Sequence, residues 1–75
     1  MNDKKRASLR SSVDLLNKAS SLVDRVRDAE GDAVSNCPEN LQGSERYQKM
    51  ESAVESLDEA MEHISSAIDC IEAAI

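Results

Sequence analysis

Residues 47–75, YQKMESAVESLDEAMEHISSAIDCIEAAI, place large apolar residues at alternating intervals of three and four. This spacing puts the apolar residues on one face of a long helix that packs along another helix, as in a coiled coil. A second line of small residues, Ala53, Ala60, Ala67 and Ala74, runs beside it and lets a neighbouring helix come close. The large residues are Tyr47, Met50, Val54, Leu57, Met61, Ile64, Ile68, Ile71 and Ile75.

An earlier helix is predicted over about residues 3–34, with Asn2 or Asp3 as its N-cap. Its apolar residues form a broad stripe, which is too wide for one partner helix. Gly31 weakens this helix, so we expect it to fray or end near that residue. The main line of the stripe is Leu15, Ala19, Leu22, Val26, Ala29 and Ala33, and the flanking line is Leu9, Leu16 and Val23, with Val13 at its margin.

Residues 35–43 read as a connector, because Pro38 cannot continue the preceding helix. Pro38 to Leu41 fits one short helical turn, and Gly43 permits a left-handed exit from it. Ser44 then serves as the N-cap of the second helix, predicted over about residues 44–75. The sequence therefore predicts an all-α fold in which residues 1–75 form a single antiparallel αα-hairpin domain.

One hairpin leaves the outer edges of both apolar stripes in water, so we expect two copies to pair as a homodimeric four-helix bundle. A monomeric hairpin with frayed ends and a complex with a different protein are the two other arrangements that fit. The residues expected to pack within and between hairpins are Leu15, Leu22, Val26, Met50, Val54, Leu57, Met61, Ile64, Ile68 and Ile71.

The net charge of -6 is unevenly distributed along the chain. Residues 1–34 carry +1, residues 35–44 carry -1, and residues 45–75 carry -6. This balance argues against direct binding of nucleic acid or an anionic membrane by the second helix, because phosphates would be repelled. The acidic residues of that helix form either a solubilising surface or a surface that imitates the charge spacing of DNA.

The sequence contains no recognisable catalytic, cofactor or metal motif. His63 has Ala60 three residues before it, so the Glu-x-x-His pattern of di-iron bundles is absent. Cys37 and Cys70 are about 39 Å apart along a hairpin and cannot pair within it, although a bridge between two chains stays open. No segment resembles a signal peptide or a membrane span, and we expect free thiols in the cytoplasm.

The connector and the first residues of the second helix, Asn36-Cys37-Pro38-Glu39-Asn40-Leu41-Gln42-Gly43-Ser44-Glu45-Arg46-Tyr47 with Met50-Glu51, carry a family resemblance. They resemble an uncharacterised family of small acidic helical-hairpin proteins from bacteriophages, mobile elements and Gram-positive bacteria, with the connector N-x-P-E-N-L-Q-x-S-E-R. The resemblance covers the connector and most of the second helix, and implies a mobile-element context. The polar connector residues then act either as structural caps or as a recognition tip.

The expected function is a non-enzymatic protein–protein interaction module, which binds a second copy and an unidentified protein and takes no cofactor. The alternative is an acidic DNA mimic or anti-defence inhibitor of a host nuclease or DNA-binding protein. The candidate partner-binding residues are Glu51, Glu55, Asp58, Glu59 and Glu62 on the second helix and Glu39, Asn40, Gln42 and Arg46 at the connector.

Overall fold

A computed structural model describes all 75 residues as two long helices packed side by side. Helix α1 spans Asp3–Ser35, a 3-10 turn spans Glu39–Leu41, and helix α2 spans Glu45–Ala74. The hairpin measures 59 × 15 × 13 Å and contains no strand. The prediction of an all-helical hairpin is therefore confirmed.

Both helices begin at side chains that cap their first turn. The Asn2 Oδ1 atom accepts a hydrogen bond from the Lys5 backbone N–H at 2.8 Å. The Ser44 Oγ atom accepts one from the Tyr47 backbone N–H at 3.2 Å. Each cap satisfies a backbone donor that has no partner inside its helix, so both predicted starts result from local chemistry.

The connector contains the short helical turn that the sequence predicts. The Leu41 backbone N–H donates to the Pro38 carbonyl oxygen at 2.9 Å, which forms the predicted short helical turn. Two expectations are wrong. Helix α1 continues through Gly31 to Ser35, and Gly43 leaves the turn without a positive φ angle. Packing against α2 offsets the low helix propensity of Gly31, since most helical stability in proteins comes from tertiary contacts.

Helix α2 packs on α1 through the line predicted for it, and each large apolar residue from Tyr47 to Ile75 on that line is half-buried. On α1, however, the two predicted lines exchange roles. The flanking line faces α2, whereas Leu15, Leu22 and Val26 of the main line are 65%, 57% and 55% exposed. The half-buried seam of α1 consists of Leu9, Val13, Leu16, Ser20, Val23, Arg27, Glu30 and Val34.

The exchange has a simple physical reason. The seam of α1 carries five large apolar residues, distributed from Leu9 to Val34 along nearly the whole helix. The other line carries only three, all between Leu15 and Val26, and is completed by alanines. Because hydrophobic stabilisation rises with the apolar area removed from water, α2 gains more by covering the longer line.

One ion pair crosses between the helices and defines their register. The Arg27 Nε atom lies 2.7 Å from the Asp58 Oδ1 atom, and the Nη2 atom lies 3.5 Å from Oδ2. The hydrogen bond to Asp58 and its negative charge raise the pKa of Arg27. A residue that lies a given number of positions before Arg27 in α1 is therefore level with the residue that lies the same number of positions after Asp58 in α2.

The hairpin by itself contains no fully buried residue. It exposes 5531 Å², whereas a compact protein of 8.2 kDa exposes about 4,500 Å². Neither helix has a stretch that is long and apolar enough to cross a membrane.

Candidate interaction faces

The two sides of the hairpin are defined by the residues that flank the seam. Successive residues of an α-helix are about 100° apart, so the residue before and the residue after each seam position lie on opposite sides of the hairpin. Because α1 and α2 run in opposite directions, the preceding residues of both helices fall on one side. The following residues of both helices fall on the other side.

The residues that precede the seam form an apolar face. Its α1 half contains the exposed Leu15, Leu22 and Val26, and its α2 half is the alanine line, of which Ala53, Ala60 and Ala67 are half-buried. Large side chains therefore stand along one helix beside a row of small side chains along the other. Polar residues also precede the α2 seam: Ser56, His63 and Cys70 lie along the outer edge of this side, and Arg46 and Lys49 lie at its connector end. The apolar face consists of the apolar residues between them, Leu15, Ala19, Leu22, Val26, Ala29 and Ala33 on α1 and Ala53, Ala60, Ala67 and Ala74 on α2.

The residues that follow the seam form an acidic face. Two grooves show that both helices contribute to it: one is lined by Asp28 and Asp32 together with Glu51 and Glu55. The other is lined by Arg10, Asp14 and Glu72 among others. The acidic face contains Asp14, Asp24 and Asp28 on α1 and Glu51, Glu55, Asp58, Glu62, Asp69 and Glu72 on α2, together with Asp32, which lines the first groove.

Charge is strongly separated between this face and the rest of the hairpin. Counted with Arg27 of the seam, which lines the first groove, the acidic face holds ten carboxylates and the two guanidinium groups of Arg10 and Arg27, which gives a formal charge of -8. The whole chain carries -6, so everything outside the acidic face carries +2. The hairpin is therefore two-sided, with one apolar surface and one strongly negative surface.

The predicted partner-binding residues of α2 do not form one group. Glu51, Glu55 and Glu62 lie on the acidic face, where the prediction of an outward acidic surface places them. Asp58 differs, because it is half-buried and its carboxylate is held by Arg27. Glu59 lies on the outer side of α2, where its Oε1 atom is 3.4 Å from the His63 Nε2 atom.

The predicted connector residues are also dispersed. Glu39 and Asn40 lie in the 3-10 turn, and the Gln42 side-chain amide donates to the Cys37 carbonyl oxygen at 3.4 Å. Arg46 lies on the same side as the apolar face, in a groove shared with Ala33. The sequence allowed either a structural or a recognition role for the polar connector residues. For Gln42, this contact favours the structural role.

Tyr47 anchors the connector to the start of α2. It is half-buried and lines a groove with Cys37, Leu41 and Met50. Desolvation raises the pKa of the Tyr47 hydroxyl, and the negative charge of Glu51 adds to the effect. The half-buried environment of Tyr47 therefore favours the neutral phenol over the phenolate.

The remaining reactive side chains stand apart from one another. Cys37 is half-buried and Cys70 is exposed, and both are free thiols. His63 contacts only one carboxylate within ion-pair distance, that of Glu59. No three His, Cys, Asp or Glu side chains converge as the ligands of a metal ion.

The α1 half of the acidic face was missed by the sequence analysis. Residues 1–34 carry a net charge of +1, and this balance concealed Asp14, Asp24 and Asp28. Each of these aspartates directly follows a seam residue, namely Val13, Val23 and Arg27. Assigning the seam to the correct line would have placed all three on one side of α1.

Comparisons with known proteins add no relative to this description: no family model, no curated protein and no solved structure matches the chain.

Proposed function

We propose that the chain is a non-enzymatic protein–protein interaction module that works as a homodimer of helical hairpins. The observation that carries this proposal is the separation of an exposed apolar face from an acidic face on a hairpin without buried residues. The apolar face serves self-association, and the acidic face remains available for a protein partner. A cytoplasmic location and a phage or mobile-element origin belong to the same proposal, the latter on the connector resemblance.

Self-association is supported by the surface area of one copy. A single hairpin exposes about 1,000 Å² more than a compact protein of its mass. Each partner in a stable protein–protein complex buries about 800 Å². One interface of ordinary size therefore covers most of this additional exposed area. Exposed apolar patches on soluble proteins commonly mark such interfaces.

The second candidate function is an acidic DNA mimic or anti-defence inhibitor of a host nuclease or DNA-binding protein. The acidic face favours it, because ten carboxylates, six on α2 and four on α1, extend over about 32 Å, the length of α2 from Glu51 to Glu72. That is about one negative charge per 3 Å, roughly half the line density of duplex DNA. A basic groove that binds the negative phosphates of DNA would find a negative surface here as well.

The test is affinity capture of proteins from a bacterial lysate on the immobilised chain and on two lysine-substituted variants. The triple variant Glu51→Lys, Glu55→Lys and Glu62→Lys changes only the acidic face, and should retain its helicity because these residues lie off the seam. We expect it to lose the captured partner. Capture by the original chain should weaken steeply between low and physiological salt, because exposed charges are screened over about 8 Å.

The control is the triple variant Ser52→Lys, Ser66→Lys and Ala73→Lys, which also adds positive charge to α2. These residues lie on the outer side of α2, away from the acidic face. The control should capture the partner nearly as well as the original chain. A partner that is retained equally by all three baits at both salt concentrations would contradict a role for the acidic face in binding.

A further inference from the structure

We infer that two hairpins pair through their apolar faces about a two-fold axis parallel to the helices, with α1 of each copy against α2 of the other. This inference rests on the proposed homodimer and specifies its geometry. The resulting four-helix bundle has antiparallel neighbours throughout. Both acidic faces remain on its outside, on opposite sides.

The first argument is the complementary size of the two lines on the apolar face. The register defined by Arg27 and Asp58 places Leu22 of α1 at the level of His63 in α2. An axis parallel to the helices keeps each residue at the same level as its copy. Leu22 of one copy therefore lies between the levels of Ala60 and Ala67 of the other, beside His63 at the outer edge of the face, and the small side chains of the two alanines leave room for the leucine.

The second argument is charge complementarity along the edge of the same interface. Arg25 lies on the outer side of α1 and forms no ion pair within its own hairpin. Its level in α2 is that of Ala60, next to Glu59. The parallel axis brings Arg25 of one copy beside Glu59 of the other, and it does so twice because the interface is symmetric.

The alternative axis lies in the interface but perpendicular to the helices. It sets α1 against α1 and α2 against α2, so bulky residues meet bulky residues on one side and alanines meet alanines on the other. Those two helix pairs would require different separations. It also brings the basic edge of α1, which includes Lys18 and Arg25, against its own copy, and like charges disfavour that arrangement.

The geometry is tested by distances between nitroxide labels in the dimer, measured by double electron–electron resonance. Single cysteines replace Lys4, Ser11 or Lys18 in a Cys37→Ser, Cys70→Ser background, and circular dichroism verifies that each variant remains helical. All three positions lie on the same outer line of α1, at intervals of seven residues. With the parallel axis, the three distances between copies should be equal within a few ångströms.

Two other results would overturn the inference in distinguishable ways. Distances that change by about 3 Å for each residue along α1 indicate the perpendicular axis, in which case the homodimer stands and the geometry fails. Absence of dipolar coupling between copies at all three positions removes the homodimer as well. Dilution with unlabelled protein should eliminate the coupling, which verifies that it arises between chains.

A charge exchange tests the same geometry without labels. Arg25→Glu should weaken the dimer about tenfold, because two exposed ion pairs become repulsive. Adding Glu59→Arg should return the dissociation constant to within about twofold. The control Lys4→Glu makes the same charge change beyond the end of the partner's α2 and should have little effect. Failure of the second change to rescue the first would contradict the proposed contact.

Discussion

Ile64→Asp should unfold the protein at every concentration that can be examined. Ile64 is half-buried near the middle of the seam, at the level of Ser20 and Ser21, which offer a carboxylate no positive partner. An unpaired charge there must either lose its water or separate the helices. We expect a loss of at least about 3 kcal/mol in the free energy of unfolding, which is comparable to the whole stability of so small a core.

Circular dichroism measures this loss of helix, and Ser66→Asp is the control. Ser66 is exposed on the outer side of α2, two residues from Ile64, and the same new charge should change stability by less than about 0.5 kcal/mol. A fully helical Ile64→Asp protein with an unchanged melting temperature would contradict the assigned seam.

Leu22→Asp should act on association instead of on the hairpin itself. Leu22 is 57% exposed in a single hairpin. In the proposed dimer, the Leu22 side chains of both copies are buried. Losing two buried leucine side chains and burying two carboxylates should weaken the dimer at least about a hundredfold. Helicity lost by this variant at low concentration should return as the protein concentration rises, unlike that of Ile64→Asp.

The control for this variant is Ser21→Asp, which introduces the same charge one residue away on the opposite side of α1. Its dissociation constant should remain within about threefold of the original, since Ser21 lies away from the apolar face. An unchanged dissociation constant for Leu22→Asp would show that the apolar face is not where copies meet.

The sequence predicted the elements better than it predicted which faces meet. Capping by Asn2 and Ser44 and the break at Pro38 are local, so they could be inferred from neighbouring residues alone. The α2 seam was also clear, because all its positions are large and apolar.

The α1 seam was ambiguous because two lines share the same three-four spacing, one residue apart. The correct line includes Ser20, Arg27 and Glu30, which resemble solvent-facing residues until α2 is placed beside them. The Arg27–Asp58 pair resolves this ambiguity, but it joins residues 31 positions apart and is invisible to local periodicity. The same error concealed the α1 aspartates and left Asp58 among the free carboxylates.

The acidic face gains a further property if the bundle forms as inferred. Two copies of the face then point in opposite directions, so one dimer offers two equivalent sites to a basic partner. A bivalent partner would be bound more tightly than a monovalent one without any new contact.

Sedimentation equilibrium of the unmodified chain tests the central claim, self-association through the apolar face, most directly. At low micromolar concentration and physiological salt, we predict a mass twice the 8.2 kDa of one chain, with full helicity by circular dichroism. A mass of one chain with full helicity in the same sample would contradict the claim, because the hairpin would then be stable with its apolar face in water.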